Sequence, residues 1–368
     1  MQADDPMPSD GLTEQAATFQ YNYRLRCQNG HPTPVSAAVF ESQWHAEDGA
    51  ISCETCGHPV PARNENLAAR ADDDPALDSQ QISDLAWYHT STHDDWPRPD
   101  YAMTIAEELR TCSAMLPAEI YADVLRRAQT KAFHVGTYES AIENMHRRIW
   151  NEGYDDSQFY LHRVALSLSA DDIDPTIRHE SHEEASQIAI EDLGRYKAVR
   201  YINVEESPGS ISLAITPSAI ATIQTVAIPT TLVVGPPSEV IRRAAAALDA
   251  ELAPLEQELE RLPQSKGFLQ EILLRRQGDT ETIRRHELDS QITCARREFI
   301  AQLSHTYLDG INPIAREHLT RVVSWPQGAT AAEFHEIFRT HAALMTGGAD
   351  LVAELARQPP RTPNRRGV

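Results

Sequence analysis

The chain has 368 residues, of which 41% are hydrophobic and 24% are charged, a composition typical of soluble globular domains. It has 33 basic and 54 acidic residues, giving a net charge of −21. This charge argues against general nucleic-acid binding, which depends on Lys and Arg neutralising phosphates. Five cysteines, no apolar run of 18 residues and no signal-peptide pattern at the start predict a cytoplasmic protein with no membrane segment.

Residues 21–60 contain four candidate metal ligands in two pairs. The pairs are Cys27 with His31 and Cys53 with Cys56. The second pair is a Cys-x-x-Cys knuckle followed by glycine, and strand-like residues occur at 21–25 and 35–40. Thiolate and imidazole ligands in a tetrahedral set suit Zn²⁺, and four protein ligands leave no open coordination position. The spacing predicts a zinc ribbon with a structural zinc, and His58 is an alternative fourth ligand.

The segment before the ribbon, residues 1–20, is expected to be disordered, and residues 61–80 have the composition of a linker. Residues 81–235 alternate between short strand-like and helical pieces. The predicted strands cover residues 85–90, 131–136, 158–167, 198–204 and 210–216. The predicted helices cover residues 102–112, 117–129 and 137–150. This mixture predicts an α+β domain.

Residues 236–356 are predicted to form an all-α region. Apolar residues recur there at spacings of four and three, typical of a coiled-coil seam: Ile241, Ala245, Leu248, Leu252, Leu255 and Leu259. A second predicted helix continues the pattern at Leu288, Ile292, Ala295 and Phe299, and Pro254 is expected to kink the first. The region is either a helical hairpin packed on the middle domain or an arm that forms a homo-oligomer. Residues 357–368 are expected to be a basic, disordered tail.

Two segments of the middle domain, residues 87–91 and 133–138, share an unusual pattern. Their sequences are Trp-Tyr-His-Thr-Ser and Phe-His-Val-Gly-Thr-Tyr. Each carries a histidine on a predicted strand, followed by small hydroxyl residues or by glycine. Because such residues let a ligand approach the backbone closely, the two segments indicate a binding cleft.

These segments resemble the first two motifs of the ADP-ribosyltransferase superfamily. In the first motif, an aromatic or apolar strand ends in His-Gly-Ser or His-Gly-Thr; in the second, an aromatic residue or histidine precedes a helix rich in small residues. RNA 2′-phosphotransferases, a branch of this superfamily, carry histidines at both places. Residues 200–217 are similar to the terminal block of bacterial and phage members, in which Tyr-x-Asn-x-x-Glu leads into a last strand. The resemblance covers about 140 of the 368 residues and implies a split β-sheet domain.

The resemblance implies NAD as substrate, cleavage of its nicotinamide bond and transfer of ADP-ribose to a protein or nucleic-acid acceptor. Three residues would be catalytic: His89, His134 and Glu206. Eight residues would contact NAD: Tyr88, Thr90, Ser91, Gly136, Thr137, Tyr138, Tyr201 and Asn203.

Two positions depart from the family pattern. Thr90 replaces the glycine expected after the first histidine, and the place of the family's catalytic glutamate falls on Ile211 or a neighbouring serine. Glu206 is the nearest acid, with Glu205 behind it. The alternative is therefore a catalytically silent binding or assembly protein that uses the ribbon and the helices for protein contacts. Phosphate transfer from RNA ends to NAD is a third option.

Overall fold

The computed structural model describes residues 11–97, 119–120, 122, 126, 130–152, 157–183, 188–263, 275 and 278–363. The predicted helix 102–112 and most of the predicted helix 117–129 lie outside the described residues. The chain forms two compact units: residues 1–233, 311–318 and 344–368 make the first, and residues 234–310 and 319–343 make the second. None of the described helices combines the length and the apolar character needed to cross a membrane.

Eleven strands are found among the described residues, all in the first unit. They are β1 (Tyr23–Arg26), β2 (Pro32–Val35), β3 (Ala50–Ser52), β4 (Pro59–Pro61), β5 (Trp87–Ser91), β6 (Phe133–Val135), β7 (Phe159–Leu166), β8 (Ile173–His179), β9 (Ala198–Ile202), β10 (Ile211–Ile215) and β11 (Ile220–Ile228). The strands predicted in the middle domain correspond to β5, β6, β7, β9 and β10.

The α-helices of the described residues occur in both units. They are α1 (Ala37–Trp44), α2 (Tyr138–Glu152), α3 (Glu180–Glu183), α4 (Glu239–Arg261), α5 (Thr280–Tyr307), α6 (Pro313–Val322), α7 (Ala331–Thr346) and α8 (Gly348–Ala356). The protein is thus a mixed α and β structure with a helical C-terminal region, as predicted.

The middle of the first unit contains two sheets. One has the strand order β11-β7-β5 and is antiparallel; the other has the order β6-β10-β9-β8, in which only the β8–β9 pair is parallel. Alternate residues of both sheets contribute to a single apolar core, including Trp87 and Val164 from the first sheet and Val135 and Leu213 from the second. The opposite face of the four-stranded sheet is covered by a smaller cluster that contains Tyr201.

Two of these strands, β8 and β11, are absent from the predicted set. The sequence of β8, Ile-Asp-Pro-Thr-Ile-Arg-His, contains proline and has only two apolar residues, because β8 lies at the edge of its sheet. Residues 35–40, which have strand-like composition, instead enter helix α1. Ser36 caps this helix, and its Oγ accepts a hydrogen bond from the Val39 amide at 3.3 Å.

The segments expected to be disordered or linking also make defined contacts. Within residues 11–20, Phe19 is fully buried and Thr13 forms a β-bridge with Leu85. Arg70, in the expected linker, lies over the ring of Tyr21 at 3.6 Å. Arg361, in the expected tail, forms a β-bridge with Ile223, while residues 364–368 lie outside the described part.

In the second unit, α4 and α5 pack against each other and bury the predicted seam. The buried positions are Ile241, Ala245, Leu248 and Leu252 on α4 and Leu288, Ile292, Phe299 and Leu303 on α5. Helix α4 continues through Pro254 as one element. An ion pair between Arg284 and Glu258, at 2.7 Å, lies alongside the seam. The apolar stripe therefore has a partner within the same chain.

A buried carboxylate network attaches α2 to the N-terminal segment of the first unit. Glu139 accepts hydrogen bonds from the Phe19 amide at 3.2 Å and from the Arg70 guanidinium at 3.1 Å. Glu143 accepts from the Tyr21 hydroxyl at 2.5 Å and from the Ser207 amide at 3.1 Å. Burial raises the pKa of Glu143 to about 7, although these hydrogen bonds oppose the shift.

We expect Glu143 to make the first unit less stable as the pH rises from about 4.5 to about 7. Because its pKa is higher in the folded state than in the unfolded chain, the folded state binds the proton more tightly, and this contribution is complete below pH 4.5 and is lost by pH 7. In Glu143→Gln the amide cannot ionise. The free energy of unfolding, from urea titrations at several pH values, should therefore rise relative to wild type across this range.

The matched control is Glu287→Gln, which changes a solvent-exposed glutamate of α5. This variant should follow the wild-type pH profile. A Glu143→Gln profile parallel to that of wild type would contradict the assignment.

Candidate metal centre and candidate active site

Four side chains from the two N-terminal hairpins come together as a potential metal site. The ligand atoms of Cys27, His31, Cys53 and Cys56 all lie within 4.8 Å of one another. The Sγ of Cys27 is 3.7 Å from the Nδ1 of His31 and 3.7 Å from the Sγ of Cys56. A tetrahedral site with Zn–S bonds of about 2.3 Å separates two sulfur atoms by about 3.8 Å. The donor set thus fits a metal such as zinc.

The backbone builds the two halves of this cluster in the same way. The hairpin of β1 and β2 carries Cys27 and His31, and the hairpin of β3 and β4 carries Cys53 and Cys56. In each turn the first cysteine's amide donates across the turn and its carbonyl accepts from a glycine amide at 2.8 Å. Gly30 has φ of 81° in one turn and Gly57 has φ of 71° in the other, a conformation that favours glycine.

Hydrogen bonds around the thiols prepare them for metal binding. The backbone at His58 is the main cause that lowers the pKa of Cys56 to about 7, and a hydrogen bond from Thr33 lowers the pKa of Cys53. The imidazole of His58 does not join the cluster; its Nδ1 lies 3.3 Å from the side-chain amide of Gln28. Of the two candidates for the fourth ligand, the structure therefore selects His31.

The second candidate site is at the junction of the two sheets. The Tyr88 amide donates to the Gly136 carbonyl at 2.8 Å, and the Gly136 amide donates to the Tyr88 carbonyl at 3.0 Å. This bridge brings the ends of β5 and β6 together and places His89 beside His134. The Nδ1–H of His89 donates to the His134 carbonyl at 2.8 Å, which leaves Nε2 as the acceptor of the His89 ring.

The ring of His89 has Trp96 against one face. The two rings are stacked with centroids 4.2 Å apart and planes at 22°. Trp96 also stacks on His162 at 5.3 Å and meets Phe133 edge-on at 5.5 Å. Burial lowers the pKa of His89 to about 3, so this imidazole is neutral at physiological pH.

His134 points to the other face of the four-stranded sheet, where it meets Tyr201. Its Nδ1 is 3.1 Å from the Tyr201 hydroxyl, and its buried Nε2 has no hydrogen-bond partner among the described residues. Burial lowers the pKa of His134 to about 3 and raises that of Tyr201 well above its usual value. The Oγ of Ser210 is also buried without a partner in the described structure. Because side chains alternate along a strand, Ser210, Ser212 and Tyr201 share this face.

Glu206 lies in the turn between β9 and β10 and is buried. Its carboxylate accepts from the Arg147 guanidinium at 2.7 Å and from the Asn144 amide at 2.9 Å, both on α2. Asn203 holds the turn from the other side, because its side-chain oxygen accepts from the Glu206 amide at 3.0 Å. The neighbouring Glu205 is solvent-exposed.

The structure thus connects the three predicted catalytic residues through one series of contacts. His89 bonds to the backbone of His134, His134 bonds to Tyr201, and the charge of Glu206 helps to raise the pKa of Tyr201 after burial and Glu180. Gly136 and Asn203 belong to the same region: Asn203 donates to the Ser212 Oγ at 3.1 Å.

The other residues predicted to contact NAD use their polar atoms within the fold. The Tyr88 hydroxyl bonds to Glu14, and the Thr90 hydroxyl donates to the Ala141 carbonyl at 2.8 Å. Ser91 Oγ lies 3.0 Å from the Nε2 of His162. Thr137 Oγ1 accepts from the Ser140 amide at 3.1 Å, at the start of α2. The fully buried Tyr138 donates to the Leu344 carbonyl at 2.6 Å.

Sequence reasoning missed Arg147, Asn144 and Glu180, which surround Glu206 and Tyr201. Arg147 and Asn144 occur three residues apart on α2, a spacing that places two side chains on one helical face. Glu180 is partly buried, accepts from the Val204 amide at 2.6 Å, and has a pKa raised to about 7, mainly by burial. Only the helical spacing of the first two residues was readable in the sequence.

No protein-family model, no curated protein and no solved structure matches this chain.

We expect Gly136→Ala to destabilise the sheet junction. An added Cβ would lie 2.3 Å from the Ser140 Oγ and 2.6 Å from the Ser212 Oγ, and both serines are buried, so the strand or the helix must shift. Overpacking of this kind costs about 1–3 kcal/mol in the free energy of unfolding. Urea titration measures it. Gly235→Ala is the control, since no atom lies within 4 Å of its added Cβ, and equal effects of the two substitutions would contradict the prediction.

Proposed function

We propose that the first unit is an ADP-ribosyltransferase-like enzyme that binds NAD, cleaves its nicotinamide–ribose bond and transfers ADP-ribose to a protein or nucleic-acid acceptor. The observation that supports this most directly is the series of contacts from His89 through His134 and Tyr201 towards Glu206. Residues from three separate motifs of the resembling family thus lie in one region of the fold.

The unpartnered atoms at this site suit a polar ligand. A buried polar atom without a hydrogen bond costs free energy, and the Nε2 of His134 and the Oγ of Ser210 are two such atoms on one sheet face. The ribose hydroxyls and the carboxamide of NAD offer both donors and acceptors. Gly136, without a Cβ, lets the ligand approach the backbone beside them.

The proposed chemistry assigns the charged role to Glu206. As nicotinamide leaves, positive charge develops on the anomeric carbon of the ribose, and a fixed carboxylate stabilises it. Arg147 and Asn144 hold the Glu206 carboxylate in one orientation. His89 and His134, both neutral at physiological pH, would orient the ribose and the nicotinamide through their ring nitrogens.

A catalytically silent binding protein is the second candidate, and one observation favours it. The ion pair between Glu206 and Arg147, at 2.7 Å, offsets the carboxylate charge that the reaction would require. In that case the same site binds NAD without cleaving it, and the N-terminal hairpins and the helices supply the protein contacts.

We also propose that the four-residue cluster binds Zn²⁺ and that the two hairpins form a zinc ribbon. Three thiolates and one imidazole are the donor set of closed structural zinc sites. The hairpins are short, with strands of three or four residues, so the metal would supply much of the free energy that holds them together.

We expect purified full-length protein to release nicotinamide from NAD, measured by chromatography with and without cell lysate as a source of acceptors. Glu206→Gln should lower the rate about 100-fold or more, since it removes the stabilising charge. The matched control is Glu205→Gln, which changes the adjacent exposed glutamate and should keep the wild-type rate. No release by wild type, together with NAD binding that His134→Ala weakens, would favour the silent protein.

We expect metal analysis to find about one zinc per chain. Cys53→Ser should lower this content and the thermal stability, because it removes a ligand that fixes the second hairpin. Cys294→Ser is the control, since Cys294 lies on α5 outside the cluster. Zinc-free wild-type protein that unfolds at the same temperature with and without a chelator would contradict the proposal.

A further inference from the structure

A cavity of about 360 Å³ lies beside the edge of the four-stranded sheet. Its wall includes the last three residues of β8, the last residue of β9, one residue of β1 and one residue of the turn at 75–77. These are Ile177, Arg178, His179, Ile202, Arg26 and Leu77. All of them belong to the first unit.

This cavity is separate from the candidate active site. Ile202 packs against the core between the two sheets, whereas Tyr201, the preceding residue, belongs to the cluster on the opposite face. Successive side chains of a strand point to opposite faces, so a ligand that touches Ile202 lies across the sheet from Tyr201 and His134.

Two arginines give the cavity a positive character in a chain with a net charge of −21. Asp72, the one carboxylate of the wall, is neutralised by Arg24, whose guanidinium donates to both of its oxygens at 2.6 and 2.5 Å. Arg178 has only a longer ion pair, 3.7 Å from Asp174. Arg26 is exposed and donates to the Gly30 carbonyl at 3.1 Å. Neither of these contacts is the two-bond pairing that a guanidinium makes with a carboxylate or a phosphate.

The rest of the wall suits a flat, weakly polar group. Leu77, Ile177 and Ile202 are apolar, and Ile177 is 37% exposed although it is a large hydrophobic residue. Both ring nitrogens of His179 are engaged: Nε2 donates to the Leu67 carbonyl at 2.9 Å, and Nδ1 accepts from Ser181 at 2.7 Å. His179 therefore offers its ring face to the cavity rather than a donor or an acceptor.

We propose that this cavity binds a mononucleotide-sized ligand, with one phosphate held by Arg26 and Arg178 and one planar ring lying against Ile177 and Ile202. A guanidinium matches a phosphate with two parallel hydrogen bonds, which makes arginine the preferred residue for such groups. The volume is near the lower limit of small-molecule sites, about 300–1,000 Å³, and suits one nucleotide rather than a dinucleotide such as NAD. The acidic surface of the chain disfavours a polynucleotide.

The test is isothermal titration of the full-length protein with adenosine 5′-monophosphate, adenosine and inorganic phosphate as separate probes. We expect the monophosphate to bind at least tenfold more tightly than either adenosine or phosphate. Arg26→Ala and Arg178→Ala should each weaken its binding at least tenfold. Arg195→Ala, which changes an exposed arginine outside the cavity, should leave the affinity within twofold of wild type.

A second variant protects the test against misfolding. Ile177→Glu changes a partly exposed residue and puts a carboxylate beside the phosphate, so it should also abolish binding while thermal unfolding stays as in wild type. His134→Ala should bind the monophosphate normally, which separates this site from the proposed active site. Absence of binding at millimolar monophosphate, equal affinity of Arg26→Ala and wild type, equal affinity for phosphate alone, or tighter binding of a single-stranded oligonucleotide would each overturn the proposal.

Discussion

Two backbone hydrogen bonds between Tyr88 and Gly136 join the three-stranded sheet to the four-stranded sheet. They bring together two chain segments that are 48 residues apart in the sequence, and the candidate active site depends on them. The contact requires glycine because the serines of α2 and β10 fill the space that a Cβ would occupy. With this bridge in place, the imidazole of His89 reaches the carbonyl of His134 and the two histidine segments become neighbours.

Helix α2 relates this junction to the rest of the first unit. Its buried face is polar rather than apolar: Glu139 and Glu143 accept hydrogen bonds from the N-terminal segment and from the turn that precedes β10, and Arg147 pairs with Glu206 in that turn. Buried carboxylates are costly unless donors surround them, and here amides, a tyrosine hydroxyl and arginines supply those donors. The same network that fixes the fold thus fixes the orientation of Glu206.

The metal cluster and the cavity extend this organisation to the N-terminal hairpins. Strand β1 ends with Arg26, which lines the cavity, and the next residue is Cys27, a ligand of the metal cluster. Arg24, two residues earlier, neutralises Asp72. A short strand therefore serves the cluster at one end and the cavity wall along its length, which places two proposed sites on one element.

The sequence by itself determined the features that depend on neighbouring residues. The Cys-x-x-Cys spacing identified three of the metal ligands with His31, since each pair lies within a single turn, and alternating apolar residues located β5, β6, β7, β9 and β10. The four-three spacing of leucines identified the seam of α4 and α5. Only the tertiary structure decided which partner each of these features takes. It chose His31 over His58, paired the seam within the chain, and bound Glu206 to Arg147, which precedes it by 59 residues. It also engaged Tyr88 and Tyr138 in structural hydrogen bonds and formed the edge strand β8 from a sequence with little apolar alternation. Contacts over such separations depend on how the sheets and helices pack, and local residue patterns carry no record of that packing.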